Sequence, residues 1–256
     1  MCYARRYANV LESGNATPLL HVSNAVRRHS LEAMTIFSKY CGKYSLWKDI
    51  CSKYQLKWSS VSEENNLRYF TNYLHGNENF DVMIAWLKDT LHKLPSHVGN
   101  VLLYNTLTGL RFSEGLLSIK LIQTDFEHYA NKELGVLENF RYPEFISKRT
   151  KKSYLTAYDD TILEVARNAV PLVRSWNVIR AQLKKCGIFS VHAKYCRAIF
   201  ATWLRKQGGI EQEVIDLYQG RVPTSIFRAH YLKTNVKEDR ERILQAVHEL
   251  KEELEK

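Results

Sequence analysis

The chain has 256 residues, 45% apolar and 25% charged, with a formal net charge of +10 and an isoelectric point near 9.3. That composition fits a soluble globular protein with enough chain for one large or two small domains, and no stretch is long and apolar enough to span a bilayer. The opening Met1-Cys2-Tyr3-Ala4-Arg5-Arg6 is not followed by an apolar run, so no secretory signal is read and a cytoplasmic protein is expected. The last twenty residues, Lys237 to Lys256, hold five basic and seven acidic side chains, which leaves +12 on the first 236. A polyanionic partner is the natural reading of such an excess, because each neutralised phosphate releases counterions.

The segment from about Val22 to Trp58 is predicted helical. Ala25, Leu31, Met34, Phe37 and Tyr40 recur at helical spacing, Gly42 is a stop, and Leu46, Ile50, Tyr54 and Leu56 mark a second helix. Arg27, Arg28, Lys39, Lys43, Lys48, Lys53 and Lys57 interleave with Tyr40, Tyr44, Trp47 and Trp58. Residues 1–60 therefore read as a small helical DNA-clamping domain, with Arg27, Arg28 and Lys43 as candidate DNA contacts. An ordinary amphipathic pair with solvated lysines gives the same pattern.

Ser59 to Asn66 is polar and aperiodic, a linker signal, and residues 61–256 form the second predicted domain. Within it, helices are expected over Phe80–Leu94, ended by Pro95, and over Gly99–Leu110. Phe145-Ile146-Ser147 and Ser153-Tyr154-Leu155-Thr156 flank the basic run Lys148-Arg149-Thr150-Lys151-Lys152, which reads as a β-hairpin with a cationic turn. Further helices are expected over Asp160–Val170, Arg174–Lys185, Ala193–Lys206, Glu211–Leu217 and about 235–254. In the last, Val236, Ile243, Val247, Leu250 and Leu254 form a stripe near heptad spacing, suited to a core face or to a neighbouring subunit. The five cysteines form no C-x-x-C pair and no zinc spacing with histidine, and are read as reduced, mostly buried thiols.

The chemistry lies in widely spaced residues. Attack on a phosphodiester concentrates negative charge on its non-bridging oxygens, and guanidinium groups suit that charge because they stay protonated and donate in a planar fork. Arg111 follows Thr108-Gly109-Leu110 and precedes Glu114, placed to orient it. Lys194 and Arg197 share a helix face above Phe200, Ala201 and Leu204. Arg221 follows Gly220, and Tyr231 lies ten residues beyond. A tyrosine that attacks phosphorus conserves the phosphodiester energy in a phosphotyrosine. Its phenol, which titrates near pH 10, needs neighbouring positive charge to ionise.

The order Arg111…Lys194-x-x-Arg197…Arg221…Tyr231 resembles the tyrosine recombinases of the lambda-integrase type, and within them the integrases of archaeal viruses and plasmids. Thr108-Gly109-Leu110-Arg111-Phe112-Ser113-Glu114 is similar to the first arginine box, Arg197-Ala198-Ile199-Phe200-Ala201-Thr202-Trp203-Leu204 to the second, and Phe227-Arg228-Ala229-His230-Tyr231 to the nucleophile box. The resemblance covers about 81–232 and reaches weakly back to residue 22. It implies a mainly α catalytic fold with a small β-hairpin or sheet, preceded by a small helical core-binding domain. It also implies a catalytic set of Arg111, Lys194, Arg197, Arg221 and Tyr231, with a hairpin lysine as general acid. Lys151 is favoured for that role, with Lys148 and Lys152 as alternatives and Arg149 as a DNA contact.

Most family members carry histidine where Lys194 stands; lysine there fits the archaeal branch. Most carry histidine or tryptophan where Arg221 stands, so Arg221 is expected to act by charge and hydrogen bonding. The implied partner is double-stranded DNA at attachment sites, bound by a homotetramer that exchanges C-terminal helices, with neither metal nor ATP as cofactor. A type IB topoisomerase-like nicking-closing enzyme and an inactive DNA-binding remnant are the competing readings.

Overall fold

The computed structural model describes residues 3–58, 67, 70–71, 79–146, 152–170, 176–188, 193–221 and 235–256. Two compact units emerge, Met1–Asn77 and Glu78–Lys256. No helix among the described residues is long and apolar enough to cross a membrane.

The first unit is helical: Tyr3–Tyr7, Asn9–Ser13, Thr17–Leu20, Asn24–Tyr40 and Tyr44–Lys53. Ser23 starts the longest helix by accepting a hydrogen bond from the Val26 backbone N–H on its side chain, and Gly42, at φ 67°, supplies the left-handed residue that turns the chain out of it. Leu31 and Met34 from this helix and Trp47 and Ile50 from the next bury against Val10, Leu11 and Leu19. Trp47 satisfies its indole N–H on Thr35 Oγ1 at 3.0 Å. Three short N-terminal helices were not expected, because four- and five-residue segments carry too little periodicity to read.

The second unit is mostly helical with one small sheet. Helices Phe80–Lys93, Ser96–Thr108, Phe112–Thr124, Asp160–Arg167, Trp176–Lys185, Ala193–Lys206, Gln212–Tyr218 and Val236–Glu255 carry its core. The Ser96–Thr108 helix begins directly after Pro95, and Gly99 lies inside it. This is the most buried helix of the unit, covered on nearly every face, and its buried polar side chains Asn105, Thr106 and Thr108 donate to backbone carbonyls one turn back.

The sheet departs from the expected hairpin. Three antiparallel two-residue strands run in the order β1 (Ala130–Asn131), β2 (Val136–Leu137), β3 (Thr156–Ala157), with Ala130 opposite Leu137 and Leu137 opposite Thr156. Phe145 and Ile146, predicted as the first arm of a hairpin, instead end a short helix that Pro143 opens, Pro143–Ile146. Proline at a first helical position fixes φ and loses no needed donor, which outweighs the β preference of the two residues after it. Of the second arm, Ser153 to Thr156, only Thr156 becomes strand, and it pairs with β2. The basic run 148–151 and the predicted linker 59–66 lie outside the described residues.

The tail stripe is a core face of its own chain. Ile243, Leu244, Ala246, Val247, Leu250 and Leu254 are buried. Trp203 donates to the Ala246 carbonyl at 2.8 Å, Arg240 donates to the carbonyls of Gly135 and Tyr158, and Lys88 pairs with Glu253 at 2.7 Å. Among the four described cysteines only Cys196 is fully buried; Cys41 is exposed at a helix end, and Cys51 and Cys186 are half-buried, so the expectation of mostly buried thiols does not hold. Burial pushes the Cys51 and Cys196 thiols up to about 11, which keeps them protonated.

Candidate functional site

Three of the predicted arginines converge on one place in the second unit. Arg111 sits at the N-terminus of the Phe112–Thr124 helix, where Gly109, at φ 63°, ends the preceding helix. A Cβ on Gly109 would lie 2.4 Å from the Phe200 ring, so this turn tolerates only glycine on two counts. Glu114 grips Arg111 twice: one carboxylate oxygen accepts from the Arg111 backbone N–H at 2.9 Å and the other from Nη1 at 2.8 Å. The Glu114 side chain is only 6% exposed, against 21% for Arg111. The carboxylate thus fixes the guanidinium at a helix N-terminus, where the backbone N–H groups add positive potential.

Arg197 projects from the buried side of the Ala193–Lys206 helix. Its Nη1 donates to the Gly109 carbonyl at 2.9 Å and its Nη2 to the Gln219 carbonyl. Gln219 returns a bond from its side-chain Nε2 to the Arg197 carbonyl at 2.8 Å. One arginine therefore ties the Gly109 turn to the Gln219-Gly220-Arg221 turn. Arg221 is held from below: its backbone N–H bonds the Asp216 carbonyl at 2.8 Å and its Nη1 bonds Asp216 Oδ1 at 3.0 Å, while half of the side chain stays exposed.

The electrostatics record the convergence. Burial, then the positive charge of Arg111, then that of Arg221 hold the Arg197 guanidinium down to about 10, against opposing help from Glu114 and Asp216. It remains charged at neutral pH. An anion placed among the three would relieve both the desolvation and the mutual repulsion.

Gly220 adds a fourth strand of chain to the site. At φ 66° its Cα faces the backbone of the strand segment behind it, and a Cβ there would fall 1.9 Å from the Lys152 carbonyl and 2.7 Å from Ser153 Cα. The described end of the lysine run therefore abuts the residue before Arg221. Lys194 is exposed one helical turn before Arg197, with its Nζ 5.7 Å from the Tyr195 ring centre. Lys148, Arg149, Lys151 and Tyr231 lie outside the described residues.

Several other tyrosines are unsuited to attack phosphorus. Tyr104 and Tyr129 are fully buried, and burial raises both phenols well above the ordinary value; Tyr218 is raised by burial and by Asp239.

In the first unit Arg27 spends its guanidinium on the carbonyls of Leu19, Leu20 and Val22, bracing the entry to its helix. Arg28 is exposed and pairs with Glu32 at 3.2 Å, and Lys43 is exposed at the start of the Tyr44–Lys53 helix. Lys39 and Lys48 both lie about 5 Å from the Tyr44 ring, at 4.9 and 5.0 Å.

Sequence reasoning missed Gln219 and Gly220. Only their position beside Arg221 pointed to them; their contacts join segments far apart in the chain.

No curated protein and no solved structure matches the chain. A family model described as archaeal phage integrase matches residues 84–245, a span that holds the arginine cluster, the lysine run and Tyr231. On that match, which covers more than half of its length, the chain belongs to the archaeal phage integrase family.

Proposed function

We propose that this integrase is a tyrosine recombinase that cuts and rejoins double-stranded DNA through a 3′-phosphotyrosine, with Arg111, Arg197 and Arg221 holding the scissile phosphate. The convergence of these guanidinium groups, with Arg197 bonded to the carbonyls of both the Gly109 turn beside Arg111 and the Gln219 turn beside Arg221, carries the reading. The Tyr231 phenolate attacks phosphorus as the bond to the 5′ oxygen breaks. A lysine of the 148–152 run, with Lys151 favoured, gives its proton to that oxygen. An incoming 5′ hydroxyl reverses the step and joins the new strand, so no bond energy is lost and neither metal nor ATP enters. Lys194 adds charge beside Arg197. Glu114 orients Arg111.

The first unit, with Arg28 and Lys43 exposed, contributes phosphate contacts that position the duplex without reading its sequence. Recombination uses four copies on two duplexes. Exchange of the Val236–Glu255 helix between copies would transfer its buried stripe to an equivalent surface on a neighbour. The cytoplasm, and the nucleoid when DNA is bound, is the compartment of this substrate.

Incubation with nicked duplexes drawn from DNA flanking the gene tests the reading. A denaturant-resistant adduct on the 3′ phosphate, formed in EDTA, is expected; DNA binding without an adduct on any such duplex would favour a binding remnant.

A further inference from the structure

Ile36 and Tyr40 are the most exposed large apolar side chains among the described residues, at 70% and 89%. They stand one helical turn apart on the Asn24–Tyr40 helix and so share a face. That face lies away from Leu31 and Met34, which the same helix buries in the core of the first unit. A lone exposed apolar residue is ordinary, but an adjacent pair with no part in the core marks a contact surface.

Cations frame the pair. Lys39, Lys43 and Lys48 are all exposed. The turn after the helix is closed by two backbone bonds, from the Gly42 N–H to the Lys39 carbonyl at 3.1 Å and from the Lys43 N–H to the Ser38 carbonyl at 2.8 Å, so Lys43 is fixed beside the last helical turn. The Lys39 and Lys48 ammonium groups come from different helices, yet lie 4.9 and 5.0 Å from the same Tyr44 ring centre. Like charges gathered in this way repel, and a polyanion laid across them relieves the repulsion. The helix dipole is negative at this end, so the lysines alone supply the attraction.

An apolar pair suits either a second copy of the chain or a duplex, and charge decides between them. Residues 3–58 hold nine lysines and arginines against three carboxylates. Two copies joined through this face would press like charges together, and lysine is depleted from the centres of protein interfaces. On a duplex the same lysines meet phosphates. The major groove, about 12 Å wide, admits an α-helix, and the apolar group that a base pair presents there is the C5 methyl of thymine.

We propose that Ile36 and Tyr40 read thymine: their helical turn enters the major groove, Lys39, Lys43 and Lys48 bond nearby phosphates, and the two side chains pack against C5 methyl groups. This rests on the reading of the chain as a recombinase whose first unit holds the duplex. It adds sequence discrimination to phosphate contacts that carry none.

Deoxyuridine lacks only the C5 methyl of thymidine, which isolates the contact. Binding of the full chain is measured on the duplex from DNA flanking the gene that wild type holds most tightly, and on copies with one thymine at a time replaced by uracil. Wild type is expected to lose about three- to fivefold at one or two positions, the worth of one buried methyl. The double variant Ile36→Ala/Tyr40→Ala keeps the fold, since both side chains are exposed. It is expected to bind the all-thymine duplex about tenfold more weakly, with unchanged salt dependence, and to lose nothing further at those positions. Lys39→Ala/Lys43→Ala is expected to do the reverse: uracil still weakens binding, while the slope of log affinity against log salt falls by about 2.

Wild type that is indifferent to uracil at every position would overturn the proposal, as would a double variant that keeps the same uracil sensitivity. If that variant instead loses assembly on DNA in sedimentation while its uracil sensitivity persists, the pair joins copies of the chain and the proposal falls. Wild type that binds no duplex at all would sink the recombinase reading beneath it.

Discussion

Arg197 and Gln219 hold each other reciprocally: the guanidinium donates to the Gln219 carbonyl and the Gln219 side-chain amide donates to the Arg197 carbonyl at 2.8 Å. Twenty-two residues of chain are closed into one fixed loop by this exchange. The helix that presents Arg197 and the turn that presents Arg221 cannot move independently. The Gln219 side-chain oxygen is buried without a partner among the described residues, a cost accepted at the centre of the cluster.

The clamp leads to the first prediction. Arg197→Lys keeps a positive charge but loses the planar fork that spans the Gly109 and Gln219 carbonyls. Single-turnover cleavage is expected to fall about 100- to 1000-fold, the scale of losing one fixed donor at a developing charge, with duplex affinity changed only a few-fold. A variant that cleaves at more than a tenth of the wild-type rate would show that charge alone suffices.

Glu114 gives a second. It is nearly buried, and it neutralises Arg111 while capping the helix that begins there. Glu114→Gln retains the shape but leaves Arg111 unopposed beside Arg197. Urea unfolding is expected to show a loss of about 1–3 kcal/mol, with cleavage slowed as Arg111 loses its fixed orientation. Unchanged stability would mean that the pair is merely a surface contact.

Gly220 is the third. Alanine there meets both an unfavourable left-handed backbone and the Lys152 carbonyl. Gly220→Ala is expected to cost about 1–3 kcal/mol and to depress cleavage beyond what the fraction folded explains. Gly187, also at positive φ but with no described atom within 4 Å of an added Cβ, is the control: Gly187→Ala is expected to lose stability without that extra loss of cleavage.

The fourth concerns pH. The Arg197 guanidinium is held down to about 10 when folded, well below its ordinary value. Below about pH 10 both folded and unfolded chains keep this proton, and the group contributes no slope. Above it the folded chain releases the proton first, so the unfolded state binds more protons and the contribution to stability rises with pH until the unfolded chain releases it too. The stability difference between wild type and Arg197→Met, followed by thermal melting from pH 8.5 to 11.5, is expected to stay level and then shift toward wild type beyond about pH 10. A level difference throughout would deny the depression.

The positions that carry charge were legible in the sequence because chemistry restricts them to few residue types. Arg111 and Arg197 were readable from their boxes and Arg221 from its place after Gly220, and the structure brings them together across 110 residues of chain. The long helices were legible too, since Leu31, Met34, Ile243 and Leu250 keep a steady period. The sheet was not. Its strands have two residues each, too short for alternation to register, and Pro143 turned Phe145 and Ile146 into helix. Gln219 was equally hidden, because its tie to Arg197 comes only from what the fold sets against it.

The most direct test compares wild type with Tyr231→Phe on the same nicked duplexes, in EDTA, with products separated under denaturing conditions. A protein–3′-phosphate adduct is expected with wild type only, while both proteins bind the duplex with the same affinity and salt dependence. An adduct that persists in Tyr231→Phe would contradict the assignment of the nucleophile.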